Sequence, residues 1–187
     1  MQQMDSGSTD WSSLVTESEG LDILSAPDTP TPARVDPDRL HDLLESVRGM
    51  YDWIVVDLPV VFEKLSLLSM SDSDEAFLVS TAELPSLHLT RKAIAYLGVL
   101  GFGADRYRVL VNRLGKQEGI SSDDMAKIFG APVHATFPSD YLSIHRGLTR
   151  GEPLGAKSAL GKSVESFSGL LTSRAELEKK KATANLN

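Results

Sequence analysis

A single carboxylate, Asp57, follows directly on the apolar residues 53–56 and precedes Pro59 by two positions. A continuous apolar run of this length is typical of a strand buried on both faces of a sheet. Open α/β sheets bind their ligands at the carboxyl ends of such strands. A carboxylate there can hold Mg²⁺, usually through water, while the ion bridges phosphate oxygens. From these residues alone, an Asp that ends the strand and caps the next turn is an equally good interpretation.

Asn112 and Arg113 end another apolar segment, residues 107–111, which also predicts a strand. The side-chain amide of Asn112 has a donor and an acceptor that can pair with the edge of a nucleobase. An Asn at a strand end also bonds its own backbone in an Asx turn, and the residues alone favour that second interpretation. Asp140 follows Pro138 by two positions and is suited to cap the helix that comes next.

The residues Gly161-Lys162-Ser163 imitate the end of a phosphate-binding loop, G-x-x-x-x-G-K-[ST]. That motif needs a glycine at position 156, which is Ala156, and a strand before it, whereas residues 152–154 predict a turn. Apolar residues recur on one face and predict an amphipathic helix instead: Leu160, Val164, Phe167 and Leu171. The histidines have no metal-ligand spacing, and the sequence contains no G-x-S-x-G nucleophile motif.

Segments typical of strands and of helices alternate along the chain. The predicted strands cover residues 21–26, 53–57, 76–79, 107–111 and 133–137. The predicted helices begin near residues 37, 65, 84, 121, 139 and 160. This alternation predicts an α/β fold with a mostly parallel, doubly wound sheet and helices on both faces. We expect a polar flexible N-terminus over residues 1–19, one domain over 20–174 and a flexible tail over 175–187.

Composition bounds the class of protein. The chain has 187 residues, 41% hydrophobic and 24% charged, which is enough for one domain with a sizeable core. Its net charge of −7 argues against nucleic acid as the main partner. The absence of cysteine excludes disulfides and thiolate metal sites. No apolar run approaches the ~20 residues of a membrane span, and the N-terminus lacks the order of a signal peptide, so we expect a cytoplasmic protein.

Five segments, in this order and spacing, resemble the MinD/ParA family of ATPases. Residues 51–59 (YDWIVVDLP) resemble its Walker B strand, and residues 109–113 (VLVNR) resemble the strand that ends in an adenine-reading Asn. Residues 137–141 (FPSDY) and 151–154 (GEPL) resemble a turn and a segment before the last helix. Residues 84–87 (LPSL) open a helix as in the CpaE/TadZ-type branch, which serves pilus assembly. Together the segments favour that branch.

The resemblance implies roles for single residues. Asp57 would hold Mg²⁺ through water, and Pro59 would lie beside it in the nucleotide site. Asn112 would read the adenine amino group of ATP. Arg113 and Pro138 would line the base pocket. These five residues are the predicted cofactor-binding site.

The family's Walker A loop, rich in Gly and Lys, has no counterpart in this sequence. We therefore expect residues 20–174 to be the C-terminal part of the ATPase domain, an incomplete P-loop NTPase-like fold. That loop supplies most of the phosphate binding and the transition-state electrostatics, so this chain alone is not expected to hydrolyse ATP. Without the loop's strand the sheet would have unpaired edges. The sheet itself, residues 1–19 or another polypeptide would have to cover them.

The branch implies a role in assembling or positioning a Tad pilus or secretion system, with ATP held between two subunits. We expect a homodimer or a partner chain that completes the sheet, together with pilus-assembly proteins. We expect no nucleic acid and at most peripheral association with the inner face of the membrane. Two alternatives stay open: a non-catalytic interaction module, and a split-gene fragment that needs its other half. A phospho-receiver with Asp57 as acceptor is a third, but the acidic pair and late Lys of receivers are not in place.

Overall fold

The computed structural model describes residues 11–26, 29, 35–59, 63–115 and 119–184. Two compact units divide the chain, Met1–Ser73 and Asp74–Asn187. Among the described residues, the first unit contains an antiparallel hairpin and two helices, and the second contains three parallel strands and four helices. The predicted nucleotide-site residues are divided between the units, since positions 57 and 59 belong to the first and positions 112, 113 and 138 to the second.

The first unit contains a short hairpin of β1 (Thr16–Ser18) and β2 (Leu21–Ile23). Its two-residue turn, Glu19 and Gly20, has positive φ at both positions (53° and 80°), which matches the right-handed twist of paired strands. The strand predicted over residues 21–26 is therefore shorter than expected. It pairs with residues of the segment predicted as flexible and is not part of the parallel sheet, because the tight turn brings its nearest neighbour in the sequence alongside.

A cluster of side chains attaches the hairpin to the chain near residue 51. Trp11, in a 3-10 turn (Trp11–Ser13), donates its indole N–H to the Tyr51 hydroxyl at 2.5 Å. That hydroxyl donates to the Asp22 carboxylate at 2.5 Å, and this bond raises the pKa of Tyr51. The cluster holds β2 beside the start of the apolar run.

Helix α1 (Pro37–Arg48) begins where the sequence predicts. The Asp36 carboxylate caps it by accepting from the N–H of Asp38 at 3.1 Å, and proline occupies the first helical position. Leu43 and Val47, four residues apart on one face, are buried. One face of α1 is therefore buried, and the predicted helix start near residue 37 is confirmed.

Helix α2 (Lys64–Asp72) packs against α1. His41 Nδ1 lies 2.8 Å from the Asp72 carboxylate, and the Arg48 guanidinium donates to the Asp72 carbonyl. The end of α2 is thus tied to α1 by two polar contacts.

Residues 53–57 do not form the predicted strand. The segment is irregular and exposed, with Val55 91% and Trp53 52% accessible. A strand is stable only when its backbone N–H and C=O groups pair with a neighbouring strand, and no described residue pairs with this segment. The expectation that Asp57 ends a buried strand is wrong in this structure, and the apolar run is a surface feature.

The second unit is built on a parallel sheet in the order β3 (Ala76–Ser80), β4 (Tyr107–Leu114), β5 (Val133–Pro138). Helix α3 (Leu84–Val99) connects the first pair and α4 (Ser122–Phe129) connects the second. Right-handed crossovers place both helices on the same face of the sheet, where they contact each other. The predicted α/β class with a parallel sheet is confirmed, although the sheet has three described strands and not the five expected.

The core of the second unit lies between the sheet and this helical layer. Its buried residues come from α3, β4 and α4: Leu87, Val109, Val111, Met125 and Phe129. Helix α6 (Ala159–Ala184) covers the opposite face, where Phe167 packs edge-on against Phe77 (5.5 Å) and Phe137 (5.4 Å). Helices therefore lie on both faces, as predicted.

Helices α5 (Tyr141–Arg150) and α6 complete the second unit. α6 continues to residue 184 and so includes most of residues 175–187, which were predicted to be a flexible tail. Over the described part of the chain, none of the helices combines the length and the hydropathy needed to span a bilayer.

Candidate functional site

The carboxyl end of β4 is distorted by a β-bulge. The register against β5 shifts after Val111, so that Leu114 pairs with Pro138 with one extra residue on β4. Within the bulge, Arg113 takes a left-handed backbone φ of 56°, and its N–H donates to Asn112 Oδ1 at 2.8 Å. Bulges of this kind re-aim side chains next to functional sites.

The bond to Asn112 Oδ1 is a local contact, but it comes from the next residue and not from the residue two positions on that closes an Asx turn. It uses one of the two lone pairs of the amide oxygen, so the oxygen keeps an acceptor position and Nδ2 keeps its donor hydrogens. The same bond supports the left-handed backbone of Arg113, which costs a non-glycine residue about 1–2 kcal/mol. The local contact and ligand binding are therefore compatible.

The loop after β3 is closed by Ser86, in the first turn of α3. Its hydroxyl accepts from the Thr81 N–H at 3.0 Å and lies 3.1 Å from the Ser80 hydroxyl. A hydrogen bond with the Thr81 side chain, then the Glu83 backbone N–H and the charge of Arg113, lower the pKa of the Glu83 carboxyl. Sequence reasoning missed this loop, and the run of small hydroxyl and acidic residues after β3 was the available signal.

The carboxyl end of β5 leads into two helix N-termini held by one carboxylate. Asp140 Oδ1 accepts from the Ser143 N–H at 3.4 Å, and Oδ2 accepts from the Leu160 N–H at 3.3 Å. The bond with Ser143, then that with Leu160, lower the pKa of Asp140. The predicted capping role is confirmed for α5 and extends to the first turn of α6.

The pairing of β4 with β5 brings the predicted base-pocket residues together. Pro138 lies opposite Leu114, directly after Asn112 and Arg113. Asp57 and Pro59 lie in the exposed segment of the first unit. The geometry therefore brings three of the five predicted residues near one another and leaves the other two in the first unit.

The segment around Gly161 forms the first turn of α6 and not a phosphate loop, which agrees with the helix predicted from the sequence. Its N–H groups already have partners, since Gly161 N–H donates to Ser158 Oγ at 2.9 Å and Leu160 N–H donates to Asp140. A Cβ on Gly161 would stand 2.4 Å from the Gly155 carbonyl, so this turn is packed tightly on its own loop. A phosphate could bind there only by displacing these contacts.

The carboxyl edge suits the base end of a nucleotide better than its phosphates. The β4–β5 register sets the backbone of Asn112 and Arg113 close to that of Pro138, and an amide, a guanidinium and a proline ring are groups that can bond and pack against a flat heterocycle. Within the described residues, no group of three or more His, Asp or Glu side chains is arranged to hold a metal ion. The residues present thus fit a nucleobase, and the described part of the chain shows no cradle for Mg²⁺ and triphosphate.

Comparison with known proteins agrees with the fold. No family model matches the chain. MinD of Thermotoga maritima is 23% identical over 125 residues, which are 64% of this chain and 46% of that protein. A putative MinD of Oltmannsiellopsis viridis is 32% identical over 130 residues, 65% of this chain and 40% of that protein.

Solved structures match over more of the chain. A ParA-family ATPase from Chlorobium tepidum superposes with a TM-score of 0.75 at 25% identity, covering 82% of this chain and 65% of the other. MinD from Aquifex aeolicus superposes with a TM-score of 0.64 at 25% identity, covering 74% and 61%.

The parallel sheet and its two helical layers define an α/β protein with the P-loop NTPase-type fold of ParA and MinD. The chain is homologous to the MinD/ParA-family ATPases. It spans about half the length of the MinD relatives it matches, 46% and 51% for two of them.

Proposed function

We propose that the carboxyl edge of the parallel sheet binds the adenine end of ATP. The observation that supports this is the β4–β5 register, which sets Asn112 and Arg113 beside Pro138 at the edge where open α/β sheets bind ligands. The choice of ATP as the nucleotide is supported by homology, since the relatives include an uncharacterised ATP-binding protein of Methanocaldococcus jannaschii at 25% identity.

Asn112 is the residue that distinguishes adenine from guanine in this proposal. Its Oδ1 accepts from the adenine amino group while keeping the bond from the Arg113 N–H, and its Nδ2 donates to a ring nitrogen. Guanine has a carbonyl where adenine has the amino group, so it cannot make the same pair of bonds. The Pro138 ring packs on the face of the base, and Arg113 borders the pocket opposite Glu83.

The magnesium role of Asp57, with Pro59 beside it, is proposed from family resemblance. Mg²⁺ would neutralise charge on the phosphates when bound. Since residues 53–57 are exposed and unpaired with any described strand, we propose that this chain alone binds ATP weakly and does not turn it over.

At the level of the cell, we propose a CpaE/TadZ-like role in assembling or positioning a Tad pilus or secretion system. The support is the residue pattern of segment 84–87, in which Ser86 closes the β3–α3 loop. A MinD chain of Aquifex aeolicus has been solved in complex with MinC. For this chain we propose a second copy or a sheet-completing chain, and pilus-assembly proteins, as partners.

Gene deletion in the native host tests the cellular role. Deletion should abolish sheared surface pili, and the wild-type gene should restore them. Normal piliation in the deletion strain would reject the pilus assignment and leave the nucleotide proposal standing.

Nucleotide titration followed by NMR tests the site. Mg·ATP should shift backbone amide signals of residues 107–114 and 133–140 with a Kd of about 1 mM or weaker (~4 kcal/mol of binding free energy). Mg·GTP is the matched control ligand and should shift them less. Asn112→Ala should remove the difference, whereas equal shifts by both nucleotides, or none at this edge, would reject the proposal.

Calorimetric titration with Mg·ATP tests the proposed magnesium role of Asp57. Weak Mg·ATP binding that Asp57→Ala weakens further is the expected result. Micromolar binding that is lost in Asp57→Ala would show a complete phosphate site and contradict the proposal that this chain binds weakly.

A second candidate function is a docking module that needs no nucleotide. The observation that favours it is the exposed apolar run of residues 53–56, which is unusual on a free soluble surface. A partner complex that forms without nucleotide and persists in Asn112→Ala would favour this function over the first.

A further inference from the structure

Helix α5 presents its apolar face to solvent. Its four large apolar side chains are all exposed, at 71%, 67%, 39% and 79%: Tyr141, Leu142, Ile144 and Leu148. A helix on the surface of a soluble domain normally turns this face to the core. No residue of α5 is buried, so the amphipathicity of this helix is inverted.

The inward side of α5 is small and polar, and the packing there is close. Gly147 lies against the turn after the helix, and its carbonyl accepts from the Glu152 N–H at 3.0 Å. A Cβ at position 147 would stand 2.9 Å from the Glu152 carbonyl. Ser143, one turn earlier, bonds the Asp140 cap. These contacts hold the small side inward and therefore set the apolar side outward.

Positive charge is concentrated in α5 and in the residues that follow it. α5 itself has Arg146 and Arg150 and no acidic residue, and Lys157 and Lys162 follow. The stretch 141–162 contains one acidic residue, so it is net +3 in a chain of net −7. That acid, at position 152, lies 3.8 Å from Arg150, and both side chains are largely exposed. The surface therefore complements an anionic partner.

We propose that α5 lies in the interface of an anionic membrane, with its apolar side chains among the acyl chains and its arginines at the headgroups. An apolar face flanked by cations is the pattern of helices that lie in the plane of a bilayer. Cations beside the apolar face add attraction to anionic lipid. Tyr141 supplies an aromatic ring with a polar tip, which suits the headgroup boundary.

A second copy of the chain fits this face less well. A helix of 10 residues is about 15 Å long. One face of it is well short of the roughly 800 Å² that each partner contributes to a standard interface. A membrane has no such minimum area, and the local charge is of the sign that anionic lipid attracts.

Vesicle flotation of the full chain tests the proposal. The chain should float with phosphatidylcholine vesicles that contain phosphatidylglycerol and not with phosphatidylcholine alone. Leu148→Glu, and separately Leu142→Gln, should lower the partition coefficient at least about tenfold. Arg146→Glu with Arg150→Glu should do the same. Circular dichroism should show unchanged folding, because all four side chains are exposed.

Leu89→Glu on α3 is the matched control, because Leu89 is 63% exposed on another helix of the same unit. Binding that survives Leu89→Glu and is lost in Leu148→Glu supports the proposal. Absence of binding to anionic vesicles, or equal effects of the two variants, overturns it. Self-association or capture of an acidic protein that Leu148→Glu abolishes without vesicles also overturns it and assigns the face to protein.

Discussion

At the scale of single residues, the site depends on backbone positions that side chains stabilise. Arg113 has a left-handed φ of 56° inside a strand, and the Asn112 side chain accepts from its N–H. Asp140 bonds the first turns of two helices. These residues keep the carboxyl edge in one arrangement, on which the proposed adenine recognition depends.

Substitution of Arg113 separates backbone strain from side-chain function. Glycine avoids the left-handed penalty of about 1–2 kcal/mol but adds roughly 0.5–1 kcal/mol of chain entropy. We expect the free energy of unfolding of Arg113→Gly in urea to exceed that of Arg113→Ala by about 0.5–1 kcal/mol. Arg113→Ala is the control because both variants lack the guanidinium. Equal stability of the two variants would argue against strain at this position.

Asp140 should make stability depend on acid pH. Its hydrogen bonds lower its pKa from the ordinary 3.8, so its contribution is present above about pH 4 and is lost as pH falls through the lower folded pKa. Urea unfolding of wild type and Asp140→Asn should differ at about pH 6, and the difference should shrink as pH falls below about 4. A difference that stays constant with pH would contradict this.

At the scale of elements, local caps determine where helices begin and end. Helix α4 is capped by Ser121, which accepts from the Asp124 N–H at 3.1 Å, and it ends at Gly130 with φ 69°. Both bounds are predictable because the contacts span a few residues. The side that a helix turns inward is not set by such local contacts. The inward side of α5 is set by its packing against the turn at Glu152, which exists only in the folded unit.

Two helical glycines should respond in opposite directions to alanine. Gly147→Ala should destabilise the chain by about 1 kcal/mol or more, because its Cβ would meet the Glu152 carbonyl at 2.9 Å. Gly169→Ala in α6 has no atom within 4 Å of the new Cβ, so it should stabilise by roughly 0.5–1 kcal/mol through helix propensity. Thermal and urea unfolding measure both, and stabilisation by Gly147→Ala would contradict the close packing.

The α1–α2 contact should weaken at high pH. The hydrogen bond and charge of Asp72 raise the pKa of His41 above 6.5. The contribution is therefore complete below about pH 6.5 and lost as pH rises through the raised folded pKa. The stability advantage of wild type over His41→Gln should be larger at about pH 6 than at about pH 9. An advantage that grows with pH would contradict this sign.

At the scale of the whole molecule, three of the five predicted nucleotide-binding residues lie at one end of a three-stranded sheet. Asp57 belongs to the first compact unit and Asn112 to the second. Phosphoryl transfer requires metal, phosphate cradle and nucleophile to be positioned together. Among the described residues, no group of three or more His, Asp or Glu side chains is arranged to hold a metal ion.

The purified chain should therefore release no phosphate from Mg·ATP above the level of its Asp57→Ala variant. The physical reason is that preorganised donors to the phosphates provide most of the rate. A phosphate-release assay, calibrated with a complete MinD-type ATPase, measures this. Turnover by the wild type that is lost in Asp57→Ala would contradict the prediction.

The sequence by itself determined the α/β class, the approximate starts of the helices and the residues at the strand ends of the second unit. Caps, helical periodicity and apolar runs involve residues a few positions apart, so they can be recognised in the sequence without knowledge of the fold. The capping role of Asp140 was readable in this way.

Only the tertiary structure decided which apolar segments are covered. Residues 53–57 have the local pattern of a buried strand, yet they are exposed and unpaired with any described strand. α5 has a regular apolar face that points outward because Gly147 packs closely on its other side. A strand needs a neighbour and a helix face needs a surface to cover. The neighbouring strand and the covered surface come from distant parts of the chain, so the local sequence pattern does not specify them.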